Sequence, residues 1–302
     1  MRIGVAATPD VAIPTLDWLI TSEHDLVLVI TQPDKPAGRG RSIKQSVVGD
    51  WAASRDIPII KPESSEDLIG VINDLDCVVT IGYGILLPEN ILQLPKHGFI
   101  NLHFSLLPAY RGAAPAQRAL QNGEAVTGVS VFQLEKGMDT GPIYSQRSIE
   151  IDLKWRSFEL LQVLAQEGPP AVDEALNMIA RGELPRAQEG QSSVAPKISK
   201  QDAMVNFSDD AKTLVNAIRA FTYEPGAWCT WNNEPFKITS ATIVQDCPLK
   251  QGEIFLDGQR VIVGCANNGS VELLTVVPAG KKEMSAADWA RGARLKGGES
   301  FG

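Results

Sequence analysis

The stretch "GFINLHFSLLPAYRG", Gly98–Gly112, changes character halfway. Its first part is an apolar run that ends at His103, and its second part is broken by Pro108 and the pair Arg111-Gly112. A near-continuous apolar run that stops at a proline-containing loop reads as a strand buried on both faces, followed by its exit loop. Four similar runs precede it: "RIGVAA" (Arg2–Ala7), "LVLVIT" (Leu26–Thr31), "IPII" (Ile57–Ile60) and "CVVTIG" (Cys77–Gly82). The longer segments between them fit helices, with "TPDVAIPTLDWLITSEH" (Thr8–His24) the clearest. Strands alternating with helices predict a parallel sheet in a doubly wound, Rossmann-like α/β domain.

Beyond Gly112 the rhythm changes. Thr127–Ile151 holds two strand-like runs around a Gly/Asp turn, which predicts an antiparallel extension of the sheet. Ser157–Gly182 reads as two helical pieces interrupted at Gly168-Pro169-Pro170. Residues 184–205 are polar with little periodicity and are expected to be a linker running over the first domain. "SDDAKTLVNAIRAF" (Ser208–Phe221) predicts a helix with Ser208 as its N-cap. Five short strand-like runs follow and predict a small β-barrel. The expected organisation is a domain over 1–183, a linker over 184–205 and a second domain over 206–302, in keeping with the 302-residue length.

The net charge is −8 and unevenly spread. Residues 1–196 carry 16 Lys+Arg and 24 Asp+Glu, and residues 197–302 carry 12 of each. Two basic islands stand out, Asp34–Lys44 and Ala279–Lys296, and a local field of this kind attracts phosphates even on an acidic protein. By charge alone they equally fit a solvated surface. Cys77, Cys229, Cys247 and Cys265 have no metal-binding spacing and read as buried small side chains of a reduced, cytosolic chain. The opening "MRIGVAATPD" reads as a strand rather than a charged leader, so no signal peptide is expected, and no apolar run is long enough to span a membrane.

The first strand's exit, "VAATPDVAIP", lacks G-x-G-x-x-G, so no nicotinamide cofactor is expected, and "GRG" at Gly38–Gly40 is not a P-loop. Asn101 and His103 lie two residues apart at the carboxyl end of a strand, which puts both on one face. Such a pair serves a developing oxyanion or a hydrogen-bonded loop equally well. Asp139, in the glycine-rich "EKGMDTGPI", supplies a carboxylate that could orient the imidazole and move protons. No Ser-x-Gly elbow or nearby cysteine suggests covalent acyl catalysis, and Asn, His and Asp together suit direct acyl transfer to an amine.

"NLHFSLLPAYRGAAPAQRAL" with "GMDTGPI" resembles the methionyl-tRNA formyltransferase family of folate-dependent formyltransferases. "TQPDKPAGRGR" (Thr31–Arg41), "IRAFTYEPGAW" (Ile218–Trp228) and "PAGKKEMSAADWARG" (Pro278–Gly292) extend the resemblance over nearly the whole chain. The resemblance implies transfer of a formyl group from 10-formyltetrahydrofolate to the α-amino group of methionine on initiator tRNA, with no metal. It implies that Asn101, His103 and Asp139 are catalytic. Asn101 and His103 would stabilise the tetrahedral oxygen, and Asp139 would hold His103 and assist proton transfer. Folate would be contacted by Ser105, Leu106, Leu107 and Pro108, and by Tyr83, Gly84, Ile85 and Leu86. The tRNA would be contacted by Lys35, Arg39, Arg41 and Lys44, and by Lys281 and Lys282 of an OB-like second domain. A cytoplasmic monomer is expected. Phe104, Ala7 and Thr222–Pro225 depart from the family's usual residues without removing a catalytic group. The competing readings are a formyltransferase for amino sugars, a formyltetrahydrofolate hydrolase and a non-catalytic RNA-binding protein.

Overall fold

The computed structural model describes residues 1–37 and 42–301. The chain divides into two compact units. The first comprises Met1–Pro115, Val126–Glu150 and Leu161–Pro196, and the second Ala116–Ala125, Ile151–Leu160 and Lys197–Gly302.

Among the described residues, nine strands belong to the first unit: β1 (Arg2–Ala7), β2 (Asp25–Ile30), β3 (Lys35–Ala37), β4 (Ser42–Lys44), β5 (Ile59–Ile60), β6 (Cys77–Ile81), β7 (Phe99–His103), β8 (Val126–Gln133) and β9 (Ile143–Glu150). Seven of them form one sheet in the order β5-β2-β1-β6-β7-β8-β9. The first five run parallel, and β8 and β9 extend the sheet antiparallel. Ile3, Val5, Val29, Val78, Val79, Ile81, Phe99 and Ile100 have no exposed surface, which accounts for the unbroken apolar runs. The strand order turns back between β1 and β6, and the strands' carboxyl ends there form the crevice where open α/β sheets bind ligands.

The helical expectations are met in type and shortened in extent. Thr8–His24 resolves into a 3₁₀ turn, Asp10–Ala12, and a helix, Ile13–Leu19, with Pro14 in the first turn, where no N–H is required. Ser157–Gln166 and Gly168–Ala180 are separate helices, and the second begins at the Pro169-Pro170 pair. Residues 184–196 are without helix or long strand, yet they cluster with the first unit and hydrogen-bond to it through Arg111 and Ile143.

The second unit carries a six-stranded antiparallel sheet: β10 (Trp228–Trp231), β11 (Glu234–Val244), β12 (Ile254–Asp257), β13 (Arg260–Gly264), β14 (Ser270–Val277) and β15 (Met284–Ser285). The order is β10-β11-β14-β13-β12, with β15 beside β14. The helix before it, Ala211–Phe221, is capped by Asp210, whose Oδ1 accepts the Thr213 N–H at 2.9 Å. Ser208 is not the cap because it is taken up in the preceding turn, where its N–H donates to Asn206 Oδ1. An aromatic core gathers Phe236, Trp231, Trp289, Phe207 and Phe301, with Phe301 centred 5.2–5.7 Å from the other four rings. Among the described residues no helix is long and apolar enough to cross a membrane.

Candidate active site

A cavity of about 390 Å³ opens at the carboxyl ends of β6 and β7. Thr80, Asn101 and His103 reach it from those strands, Gly82–Leu87 from the loop after β6, Gly112 and Ala113 from the loop after β7, and Asp139 from the turn between β8 and β9. Parallel pairing sets Thr80 opposite Asn101, and the period of two carries His103 to the same face.

Each catalytic candidate has a defined partner. Asn101 Nδ2 donates to Thr80 Oγ1 at 2.7 Å, and Thr80 Oγ1 donates to the Ile100 carbonyl at 3.1 Å. One amide N–H is thereby used to orient the side chain, which leaves the other for a ligand. His103 is buried, and its Nε2 lies 2.9 Å from the Tyr110 carbonyl. A carbonyl only accepts, so this contact puts the proton on Nε2 and leaves Nδ1 of the neutral ring bare. Nδ1 lies 3.8 Å from Asp139 Oδ2, too long for a direct hydrogen bond and well within Coulombic reach. Burial pulls the His103 pKa below its ordinary value, opposed by the Asp139 carboxylate and the Tyr110 carbonyl. The ring is therefore neutral near pH 7 and poised to accept a proton at Nδ1.

The turn that presents Asp139 depends on its glycines. A Cβ on Gly141 would lie 1.8 Å from the Gln133 carbonyl oxygen, so only glycine lets the turn close. Asp139 itself adopts a left-handed backbone, φ 52°. Its Oδ2 accepts the Gly112 N–H at 2.7 Å, and Gly112 (φ +124°) has no room for a side chain, with Ala195 O 2.7 Å from the Cβ position.

The other expected residues divide. Tyr83, Gly84, Ile85 and Leu86 line the cavity, with Leu86 83% exposed at its rim. Tyr83 is buried, and burial pushes its phenol up to about 12. Ser105, Leu106, Leu107 and Pro108 do not line the cavity. Ser105 is fully buried and donates to the Ala109 carbonyl, while Leu107 packs with Phe132 and Ile143. The hydrogen bonds of this segment to Ala109 and Ser130 shape the loop whose Tyr110 carbonyl lies against His103. Phe104 is buried and lines the cavity, and Ala7 is buried at the end of β1 beside Ile81. Lys35 and Lys44 are exposed and directly opposite each other across the β3–β4 pair, with Lys35 Nζ 2.6 Å from Gln32 Oε1. Arg39 and Arg41 lie outside the described residues. Lys281 and Lys282 are exposed in the loop between β14 and β15. Sequence reasoning missed Thr80, the Tyr110 carbonyl and the Gly112 N–H. Thr80 gives no signal until the register places it opposite Asn101, and the other two are backbone groups.

No group of three His, Cys, Asp or Glu side chains among the described residues could hold a metal ion. The cavity is large enough for a small organic ligand, with apolar walls from Ile85, Leu86, Leu92 and Leu102 and polar groups converging at one end.

The chain is similar to known proteins in sequence and in fold. Residues 1–176 match the family model described as formyl transferase, and residues 197–294 match the formyl transferase C-terminal domain. The chain is 43% identical to the methionyl-tRNA formyltransferase of Salinispora tropica, covering 99% of both chains. It is 42% identical to that of Thermobifida fusca, covering 100% of this chain and 99% of the relative. Among solved structures, the sugar 3N-formyl transferase WlaRD superposes with a TM-score of 0.71 at 19% identity, over 93% of this chain and 99% of that one. HypX from Aquifex aeolicus, solved with tetrahydrofolic acid, superposes with a TM-score of 0.68 at 18% identity. That match covers 99% of this chain, which spans about half of HypX, 48% of its length. At these identities the structures speak to the fold alone. By family models and full-length relatives alike, the chain belongs to the methionyl-tRNA formyltransferase family of formyl transferases.

Proposed function

We propose that this protein transfers the formyl group of 10-formyltetrahydrofolate to the α-amino group of methionine esterified to initiator tRNA. The observation that carries the reading is the convergence of Asn101, His103 and Asp139 on one cavity, in a chain similar over its full length to methionyl-tRNA formyltransferases. Bound folate would supply an activated formyl carbon, and the apolar walls around Leu86, Leu92 and Leu102 would shield it from water.

The hydrogen bonds divide the chemistry among the three side chains. The free N–H of Asn101, its amide fixed by Thr80, donates to the formyl oxygen as that oxygen gains charge. His103 is assigned to proton transfer rather than to oxyanion donation, because Tyr110 holds the Nε2 proton and the neutral ring has none on Nδ1. Nδ1 takes the proton of the attacking amine and returns it to the departing nitrogen. Asp139 stabilises the intervening imidazolium from 3.8 Å.

Recognition of tRNA falls to the exposed lysines. Lys35 and Lys44 lie opposite each other across the β3–β4 pair, and Arg39 and Arg41 belong by sequence to the same basic loop. Like charges set opposite each other disfavour the pairing alone and favour it beside an anion. The second unit, read as an OB-like domain, would add Lys281 and Lys282. In this reading residues 1–183 carry the chemistry, 206–302 contact tRNA, and the protein works as a cytoplasmic monomer.

The test is a formyl-transfer assay with purified protein, 10-formyltetrahydrofolate and either charged initiator tRNA or amino sugars. Formylation of methionyl-tRNA is the expected result. Formylation of amino sugars alone would overturn the substrate, and no transfer to either would overturn the reaction.

A further inference from the structure

Gln188 lies in the polar segment that sequence reads as a linker, 49 residues from the turn that carries Asp139. Its side-chain Nε2 donates to two carbonyls of that turn, Asp139 O and Gly141 O, each at 2.8 Å. Its Oε1 accepts from Arg111 at 2.6 Å through Nη2 and 3.2 Å through Nε. We infer that Gln188 is a positioning residue for formyl transfer, holding Asp139 in register with His103, and that Arg111 fixes the Gln188 amide in the orientation that does so. The inference rests on the formyl-transfer reading of the site.

An amide has one end that donates and one that accepts. Here the donor end meets two carbonyl oxygens and the acceptor end meets a guanidinium. Turning the amide over would oppose oxygen to oxygen and N–H to N–H at all of these contacts. Arg111 therefore acts as a polarity lock, and its fork suits a single planar acceptor.

Asp139 needs such a hold. Its backbone is left-handed, and its carboxylate tip is held by the Gly112 N–H alone among the hydrogen bonds described. Gln188 holds the other end of the same residue, at its carbonyl. The segment also reaches the His103 side of the site. Ser193 Oγ accepts the Tyr110 N–H at 2.9 Å, and the Tyr110 carbonyl accepts from His103. Ser193 and Ala195 bracket Arg111 through its backbone, at 2.9 and 2.7 Å. One stretch of chain thus holds both supports of the His103–Asp139 pair. Their 3.8 Å separation is the quantity it sets, and misplacement by an ångström is costly in a reacting geometry.

Gln188→Glu separates positioning from packing. It keeps the size and the Arg111 contact, and it replaces both donors with a carboxylate facing two carbonyls. Formylation of methionyl-tRNA should show a kcat lower by roughly ten- to a hundredfold, with KM for both substrates held within about twofold. The unfolding midpoint should move by no more than a few degrees. In an Asp139→Asn background the same substitution should lower kcat no further, because Gln188 acts through Asp139. Unchanged kcat in Gln188→Glu, or a full multiplicative loss in the double variant, would overturn the inference. Should Gln188→Glu prove unstable, Arg111→Lys decides: it keeps the charge and loses the fork, and kcat should fall at unchanged KM, whereas wild-type kcat would overturn the proposal. Absence of transfer by the unaltered protein would overturn the functional reading, and the inference with it.

Discussion

The proposed catalytic edge and the basic surfaces of this molecule are built on opposite principles. At the edge, His103 is 7% exposed and Asn101, His103 and Asp139 each have a defined partner within hydrogen-bond or Coulombic reach. At the surfaces, Lys44, Lys281 and Lys282 are exposed. Chemistry needs a charge to appear at one atom, so the groups must be held before the reaction begins. Attraction of a polyanion needs only the right sign within a Debye length, so long flexible side chains suffice. The two regions should therefore fail in different ways when altered.

The largest effect is expected at the edge. His103→Ala and Asp139→Ala should each lower kcat by roughly a hundred- to ten-thousandfold, with the fold retained by circular dichroism. Near-wild-type turnover in either would erase the contrast.

The pH dependence of kcat sharpens it. Burial keeps His103 neutral below its ordinary pKa, so kcat should hold level from pH 8 through about 6.5 and fall only in more acidic solution. The Asp139 carboxylate opposes that depression, so Asp139→Asn should move the acid limb to still lower pH. A limb that moved upward would reverse the assigned role of Asp139. The same ionisation enters stability. The folded pKa of His103 is depressed, so its neutral form favours the fold above the ordinary histidine value, and this contribution is lost as pH falls through the folded pKa.

A smaller effect, and of a different kind, is expected from Lys281→Ala with Lys282→Ala. KM for tRNA should rise several-fold while kcat is preserved, and the slope of log affinity against log salt should shrink by about 1 for each lysine that contacts phosphate. An unchanged salt slope would remove these lysines from the interface.

The smallest effect, and the one with two signs, concerns Lys44→Ala. It removes a charge directly opposite Lys35, so the unfolding midpoint should rise slightly while KM for tRNA also rises. A fall in the midpoint would show that the two ammonium groups do not oppose each other.

Much of the parallel sheet was legible because a strand buried on both faces leaves an unbroken apolar run, as in "CVVTIG" and "GFINLH". The Asn101–His103 pair was legible because a strand's period of two is fixed by covalent geometry. The helix start at Asp210 was misread at Ser208, since both are good caps and only the turn at Asn206 decides between them. Ser105–Pro108 reads as a ligand shelf from its motif, and what no motif marks is that Ser105 and Leu107 hydrogen-bond to Ala109 and Ser130. The contacts of Gln188 were invisible: nothing in "RAQEGQ" distinguishes a surface glutamine from one bonded to a turn far away in sequence.

The sequence by itself determined the parallel strands and the side-chain types that meet at the cavity, because periodicity and side-chain chemistry are local properties. Only the tertiary structure decided which nitrogen of His103 is free and how far it lies from Asp139. It alone showed that a stretch read as a linker hydrogen-bonds to Tyr110 and to the turn that carries Asp139. Those facts depend on backbone carbonyls and N–H groups, which every residue carries and no sequence pattern marks.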